Sequence, residues 1–252
     1  MYEDIALYYD LVHADLIDDV AYVLGEFSPA DGAVLVLGCG TGRVIWPLAR
    51  AGFMVVGLDN SPAMLARAQA YLAQHAELEE HVTLLQADMR DFSCDREFGV
   101  AIALNNTFMH LTMAEMGRVL GRVKRGLGEN GRLFLDLINP IAIANTADTP
   151  EPELERELVD PETGDAIAQL ASNWLDVGAQ ILHVEWVYER TPADGSAAQR
   201  TSAHEQYHYH FPHQLEMVLR ESGFQLTQMK GDYDGSSFTE DSPRLLLTAQ
   251  RV

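Results

Sequence analysis

Apolar positions fall along this chain in two alternating rhythms. Unbroken aliphatic runs near 33–37, 54–58, 82–86, 98–104 and 132–137 show no polar alternation, which suits strands covered on both faces. Helical spacing fills the intervals. It is carried by Leu16, Val20, Val23 and Leu24 within 14–27, and by Met64, Leu65, Ala68 and Leu72 behind a Ser61-Pro62 start. A third stripe, Met116, Val119, Leu120, Val123 and Leu127, follows a Thr112/Glu115 capping box. Residues 14–27 read as a short lid helix. Strands and helices alternating in this way predict right-handed crossovers and a doubly wound parallel sheet.

Beyond Asn139-Pro140 the helical rhythm stops. Residues 153–211 carry strand-like runs parted by turn chemistry at Pro161–Gly164 and Ala193–Gly195, which predicts an antiparallel insertion across the mouth of the sheet's crevice. A helix opened by Pro212, with Leu215, Val218 and Leu219 inward and Gly223 at its end, then leads to strands near 224–231 and 244–250. The link Gly231–Gly235 is short enough for a hairpin, so the last strand should run antiparallel. The expected class is α/β: a seven-stranded, doubly wound, mostly parallel sheet with its last strand antiparallel, plus an antiparallel β insertion after the fifth strand. Residues 1–252 are expected to form one domain, with 1–140 and 212–252 as a cofactor-binding core and 141–211 as a substrate-side insertion.

The densest chemistry lies in Val34-Leu-Val-Leu-Gly-Cys-Gly-Thr-Gly42 and Val55-Val-Gly-Leu-Asp59. Glycines after a buried strand let the backbone approach a ligand that side chains would push away, so Gly38, Gly40 and Gly42 are expected to floor a pocket. The helix after them, with Val44, Ile45 and Leu48 inward, begins with unpaired N–H groups that favour a carboxylate or phosphate. Asp59 closes the second strand, where a carboxylate accepts both hydroxyls of a ribose. A dinucleotide-binding turn would place a third glycine at position 43, where this chain has Arg43.

The third strand runs into Asp88-Met-Arg-Asp-Phe92 and the fourth into Asn105-Asn-Thr-Phe-Met-His110. Together with Tyr9-Asp10-Leu11, Gly128-Glu-Asn-Gly131 and Gly223-Phe224, this order of motifs resembles the class I S-adenosylmethionine-dependent methyltransferases over most of the chain. The resemblance implies S-adenosyl-L-methionine as cofactor and S-adenosyl-L-homocysteine as product. It also implies that Tyr9, Gly38, Cys39, Gly40, Gly42, Asp59, Asn60, Met64, Asp88, Met89 and Asn105 bind that cofactor. Asp88 would take the adenine amino group, the Met89 backbone N–H a ring nitrogen, and the Asn105 carbonyl the methionine end. Family members usually carry an acid two residues before the first glycine, where this chain has Val36, so backbone groups are expected to replace that contact. Tyr8–His13, Asp88–Phe92 and His110-Leu111 are also similar to N-methyltransferases acting on nucleotide-linked amino sugars.

Methyl transfer from a sulfonium is an in-line displacement, so the protein must chiefly align the partners and exclude water. An amine acceptor must also lose its proton. His110, at the C-terminal end of the fourth strand, is the candidate base, and Tyr9 is placed over the sulfonium as a catalytic aromatic. Plainer readings compete at each position: a histidine bonded to backbone, Tyr8 and Tyr9 packed into the core, Asp88 holding a turn, Asn105 ending a strand. His204, His208 and His210 share strand parity, but a polar outer face explains the alternation and no metal site is expected; His208 or His210 is an alternative acceptor-facing residue.

Composition narrows the partners. The net charge of −21, from 38 acidic against 17 basic residues, argues against nucleic acid and modestly favours cationic ligands, an amine or a sulfonium among them. No stretch reads as a signal peptide or membrane span, and a cytoplasmic protein is expected. Cys39 in the glycine turn and Cys94 in a loop offer neither a disulfide framework nor a zinc set. The expected function is methylation of a small-molecule acceptor, an amine before an oxygen, with a homodimer left open. The competing classes are an O-methyltransferase of the same fold, a cofactor-binding module without catalysis, and an NAD-dependent reductase.

Overall fold

The computed structural model describes residues 2–93 and 96–252; the reading of Cys94 falls outside them. In chain order the elements are α1 (Tyr2–Val12), α2 (Asp18–Glu26), β1 (Val34–Leu37), α3 (Ile45–Arg50), β2 (Val55–Asp59), α4 (Pro62–Ala73), β3 (Val82–Gln86), β4 (Phe98–Ala103), α5 (Met113–Gly126) and β5 (Leu127–Ile138). They continue with α6 (Pro140–Ala144), β6 (Thr149–Val159), β7 (Ala166–Asp176), β8 (Ile181–Thr191), β9 (Gln199–His208), α7 (Pro212–Glu221), β10 (Phe224–Lys230) and β11 (Arg244–Arg251).

Seven strands form one sheet in the order β10-β11-β5-β4-β1-β2-β3. The pairs within β3-β2-β1-β4-β5 are parallel, and β11 runs antiparallel to both β5 and β10. All four residues of β1 are buried, because helices cover both faces of the sheet. The expected helix signals appear as local geometry. The Ser61 hydroxyl accepts the Met64 N–H, and Thr112 and Glu115 close a reciprocal cap on α5. Strand order reverses between β1 and β4, which opens a crevice beyond their C-terminal ends.

β6–β9 form a separate antiparallel four-stranded sheet between β5 and α7. Its connections include the expected turns, with Gly164 and Gly195 both at positive φ, and a further turn in which Gln180 takes φ +55°. Ile167, Tyr188 and Ala203 on its inner face pack against Ile5 and Tyr8 of α1.

Three expectations change. The lid assigned to 14–27 is instead α2, whose Val20 and Val23 pack into the main core, while α1 lies between the two sheets. β5 begins at Leu127 rather than 132, with a register break opposite Phe98 and Val100 that absorbs the Gly128–Gly131 segment. The connection from β10 to β11 runs over 231–243, longer than a tight hairpin, and is tied by a bridge between Lys230 and Ser237. No helix among the described residues is long and apolar enough to cross a membrane.

Candidate active site

A cavity of about 480 Å³ lies at the C-terminal ends of the parallel strands. Tyr9, Gly38, Gly40, Asp59, Asn60, Met64, Asp88, Met89, Asn105 and His110 all line it, so ten of the twelve residues named from the sequence converge on one space. Gly38 turns the chain at φ +64°, and a Cβ there would come 2.6 Å from the Thr107 methyl. A Cβ on Gly40 would meet nothing nearer than the Tyr9 ring at 3.8 Å, so only the missing side chain keeps that wall open.

Cys39 and Gly42 stand behind the wall rather than on it. The Cys39 side chain is buried against Gly57 and Ile45, and burial pushes its thiol pKa up. Gly42 is required by packing, since a Cβ would lie 2.2 Å from the Trp46 ring. The helix after the turn is only six residues long and none of it borders the cavity, so the expected anion site at its N-terminus has no basis in the geometry. Arg43, where a dinucleotide turn needs glycine, is instead held by both carboxylate oxygens of the fully buried Asp19 and by the Leu16 carbonyl (2.6 Å), which fastens the turn to α2.

Asp59 is oriented by its own loop. Its Oδ2 accepts the Gly40 N–H at 2.8 Å and its Oδ1 the Ser61 N–H at 2.9 Å, which leaves lone pairs on both oxygens for a ligand. Burial raises its pKa, opposed by those N–H groups. Asp88 has a different setting: it accepts the Arg90 backbone N–H at 2.8 Å in an Asx turn and pairs with the Arg90 guanidinium at 2.5 Å, which holds its pKa down. Arg90 in turn reaches Glu115, so the acidic loop is braced against α5.

Asn105 and Asn106 both adopt left-handed backbone, at φ +48° and +67°. The fully buried Asp136 of β5 holds that turn: its Oδ2 accepts the Asn105 N–H and the Tyr233 hydroxyl, each at 3.0 Å, while Arg244 engages its Oδ1. The Asn105 amide then donates to the Tyr9 hydroxyl at 3.3 Å. Tyr8 and Tyr9 thus divide: Tyr8 is buried and stacks on Tyr188 at 4.4 Å, whereas Tyr9 faces the cavity.

A second cavity of about 370 Å³ opens between α1, the Asn105 turn and the inner face of the four-stranded sheet. Tyr2, Tyr9 and Asn105 border both spaces. His110 stands beside this shared wall, with Nε2 3.0 Å from the Tyr2 hydroxyl, and burial lowers its pKa below the ordinary histidine value. Tyr2 was not named from the sequence, although Tyr2, Ile5, Tyr9 and Val12 form a helical stripe that the second cavity exposes. Glu205 and Tyr207 of β9 were also missed; their signal is a lone acid and an aromatic alternating with exposed residues on one strand face.

The histidines fall elsewhere. His204 stacks with Trp174 and His183 on the outer face, and His210 Nε2 lies 3.1 Å from the Leu111 carbonyl oxygen. His208 and His210 line neither of these two cavities, whereas Glu205 and Tyr207, one residue out of phase on the same strand, line the second. Among the described residues no three potential metal-ligating side chains cluster.

The sheet order, the glycine turn and the carboxylate closing β2 define a Rossmann-like α/β fold of the kind methyltransferases use. Residues 34–131 match the family described as Methyltransferase domain. The chain is similar to the cypemycin N-terminal methyltransferase of a Streptomyces species, 28% identical over 247 residues that span 96% of this chain and 94% of that one. Among solved structures, the CcbJ methyltransferase from Streptomyces caelestis superposes with a TM-score of 0.77 at 21% identity, covering 93% of this chain and 88% of that one. The glycopeptide N-methyltransferase MtfA in complex with S-adenosyl-L-methionine superposes with a TM-score of 0.61 at 23% identity over 93% of each chain. The domain match over residues 34–131 and these likenesses support a methyltransferase that uses S-adenosyl-L-methionine.

The first cavity fits this cofactor. Its volume lies within the range of about 300–1,000 Å³ usual for small-ligand sites. Its wall at Gly40 is open only for want of a side chain, and the Asp59 carboxylate retains free lone pairs.

Proposed function

We propose that the chain N-methylates a small-molecule amine that enters the second cavity, with 1–140 and 212–252 acting as the cofactor core and 141–211 as the acceptor-side insertion. The observation that carries this reading is the shared wall of Tyr2, Tyr9 and Asn105, with the half-buried His110 imidazole beside it. The name of MtfA, a glycopeptide N-methyltransferase, agrees with it, and the cypemycin enzyme is named an N-terminal methyltransferase.

S-adenosyl-L-methionine supplies an electrophilic methyl on a positively charged sulfur. Asp59 would hold the ribose hydroxyls, Asp88 and the Met89 N–H would take the adenine, and Asn60 and Met64 would complete that end of the pocket. Gly38, Gly40 and Asn105 would border the methionine end. With no acid at position 36, where Val36 is buried in β1, the backbone of the turn takes the contacts that an acid makes elsewhere. Tyr9 presents its ring and hydroxyl at the junction of the two cavities, where an electron-rich face favours positive charge.

His110 is the base. Its Nε2 lies 3.0 Å from the Tyr2 hydroxyl; the tautomer with its proton on Nε2 donates there and leaves the Nδ1 lone pair free, and the lowered pKa keeps the ring neutral near pH 7. An amine bound at the shared wall loses its N–H proton to Nδ1, and the freed lone pair points across Tyr9 toward the first cavity. α1 packs against the inner face of the four-stranded sheet beside this junction, where an aligned displacement needs water kept out.

The test is product analysis. Incubation with S-adenosyl-L-methionine and a panel of amines and matched alcohols is expected to place methyl on nitrogen, and His110→Ala is expected to lower kcat by about 10²-fold or more with little change in cofactor affinity. Methyl found only on oxygen, or an unchanged kcat in the variant, would overturn the assignment.

A further inference from the structure

The inner face of the four-stranded sheet carries more hydrogen-bond acceptors than the protein itself uses. Antiparallel register places Gln169 and Asn173 of β7, Trp186 of β8 and Glu205 of β9 on one face, and all four border the second cavity. Gln169 is 3% exposed; its amide nitrogen donates to Tyr188, but the buried Oε1 has no partner. The Asn173 Oδ1 is likewise buried without a partner. Unpaired buried polar atoms are uncommon and costly, so two of them on residues that border one cavity mark a place where a ligand, met by small side-chain rotations, completes the bonding.

Glu205 gives that ligand a charge. It is 4% exposed, and the Trp186 Nε1–H at 2.9 Å and the Tyr207 hydroxyl both donate to Oε2. Among the described residues no cation pairs with it. Arg156, which also borders the cavity, instead directs its guanidinium to the Val12 carbonyl at 2.9 Å. A buried carboxylate with neutral donors alone is an unfavourable arrangement until a cation arrives.

We propose that Glu205, Gln169 and Asn173 form the recognition site for a donor-rich amine: an ammonium group held by Glu205, flanked in the same molecule by O–H or N–H groups that donate to Gln169 Oε1 and Asn173 Oδ1. This rests on the reading of the second cavity as the acceptor site and specifies its chemistry. A hydroxylated amine and an amino amide share the required groups. A plain hydrophobic amine lacks the donors, and a neutral polyol lacks the charge.

Equilibrium binding separates these cases. Wild-type protein saturated with S-adenosyl-L-homocysteine is titrated by calorimetry with glucosamine, L-alaninamide, cyclohexylamine and glucose. At least one of the first two is expected to bind about tenfold or more tightly than both cyclohexylamine and glucose, and which one does so tells hydroxyl from amide donors. Glu205→Gln is expected to weaken that amine by about tenfold or more and to leave glucose and S-adenosyl-L-homocysteine unchanged; the latter also reports that the variant is folded. Gln169→Leu and Asn173→Leu are expected to erase the advantage over cyclohexylamine. The proposal is overturned if no amine binds the wild type, if cyclohexylamine or glucose binds as well as the donor-rich amines, or if Glu205→Gln retains amine affinity. Product analysis stays separate: methyl transferred to oxygen of a ligand that still needs Glu205 would refute N-methylation and keep this site.

Discussion

Replacing Asp59 by asparagine tests the cofactor site through a single atom. The carboxylate uses one oxygen for the Gly40 N–H at 2.8 Å and the other for the Ser61 N–H at 2.9 Å. Asparagine has only one carbonyl oxygen, so its NH₂ must face one of those donors. The orphaned donor costs about 1–3 kcal/mol, and the low end applies if the turn relaxes. Ribose hydroxyls donating to a carboxylate gain about 1.5 kcal/mol or more each, against about 0.5 for a neutral acceptor, so the pair loses roughly 2 kcal/mol. The orphaned donor is present in free and bound protein alike, so cofactor affinity is expected to fall by roughly 2 kcal/mol, or about 30-fold in Kd. Stability should change little, because the substitution also removes a charge that burial disfavours, as the raised pKa of Asp59 shows. Isothermal calorimetry with S-adenosyl-L-homocysteine and a thermal melt give both quantities. An Asp59→Asn variant that binds within roughly threefold of wild type, a difference under about 1 kcal/mol, would refute the reasoning.

Three further outcomes follow from the same geometry. Asp136→Asn should disturb the left-handed Asn105 turn and release Tyr233 and Arg244, lowering kcat by about tenfold or more while glycine-turn contacts persist; an unchanged kcat with a normal melt would show that Asp136 does not position the shared wall. Cys39 is buried with its pKa raised, so a thiol reagent should label that residue only after denaturation, and mass mapping that finds Cys39 modified in the native protein would contradict the packing. Burial lowers the pKa of His13, His110, His208 and His210 in the folded chain. The unfolded chain therefore takes up protons first as pH falls through about 6.5, and stability, full above that value, should decline until the lower folded pKa values are reached. A melting temperature that stays flat between about pH 7 and 5.5 would show that these imidazoles do not titrate differently on unfolding.

Much of the fold was legible because its signals are local. Buried strands appear as unbroken apolar runs, helix starts as Ser61-Pro62 and the Thr112/Glu115 cap, and the glycine turn as spacing that backbone sterics enforce wherever the chain goes. The same locality made ten cavity residues readable, since they sit at the ends of parallel strands where the sheet's topology collects them or, like Tyr9, beside a recognisable motif. Gly42 and Cys39 show the limit of that reading. A glycine that avoids a tryptophan ring and one that avoids a ligand look identical in sequence, because the atom to be avoided comes from elsewhere in the fold.

Local sequence was enough to specify the alternating strands and helices, the glycine turn, the carboxylate at its flank and the candidate base, because each depends on neighbours within a few residues. Other features exist only once the chain is packed: α1 rather than the segment at 14–27 lies between the sheets, Tyr2 meets His110 across 108 positions, and Gln169, Asn173 and Glu205 share one cavity. Those three come from two different strands of an antiparallel sheet, and strand register, which no local pattern specifies, sets which face each side chain joins.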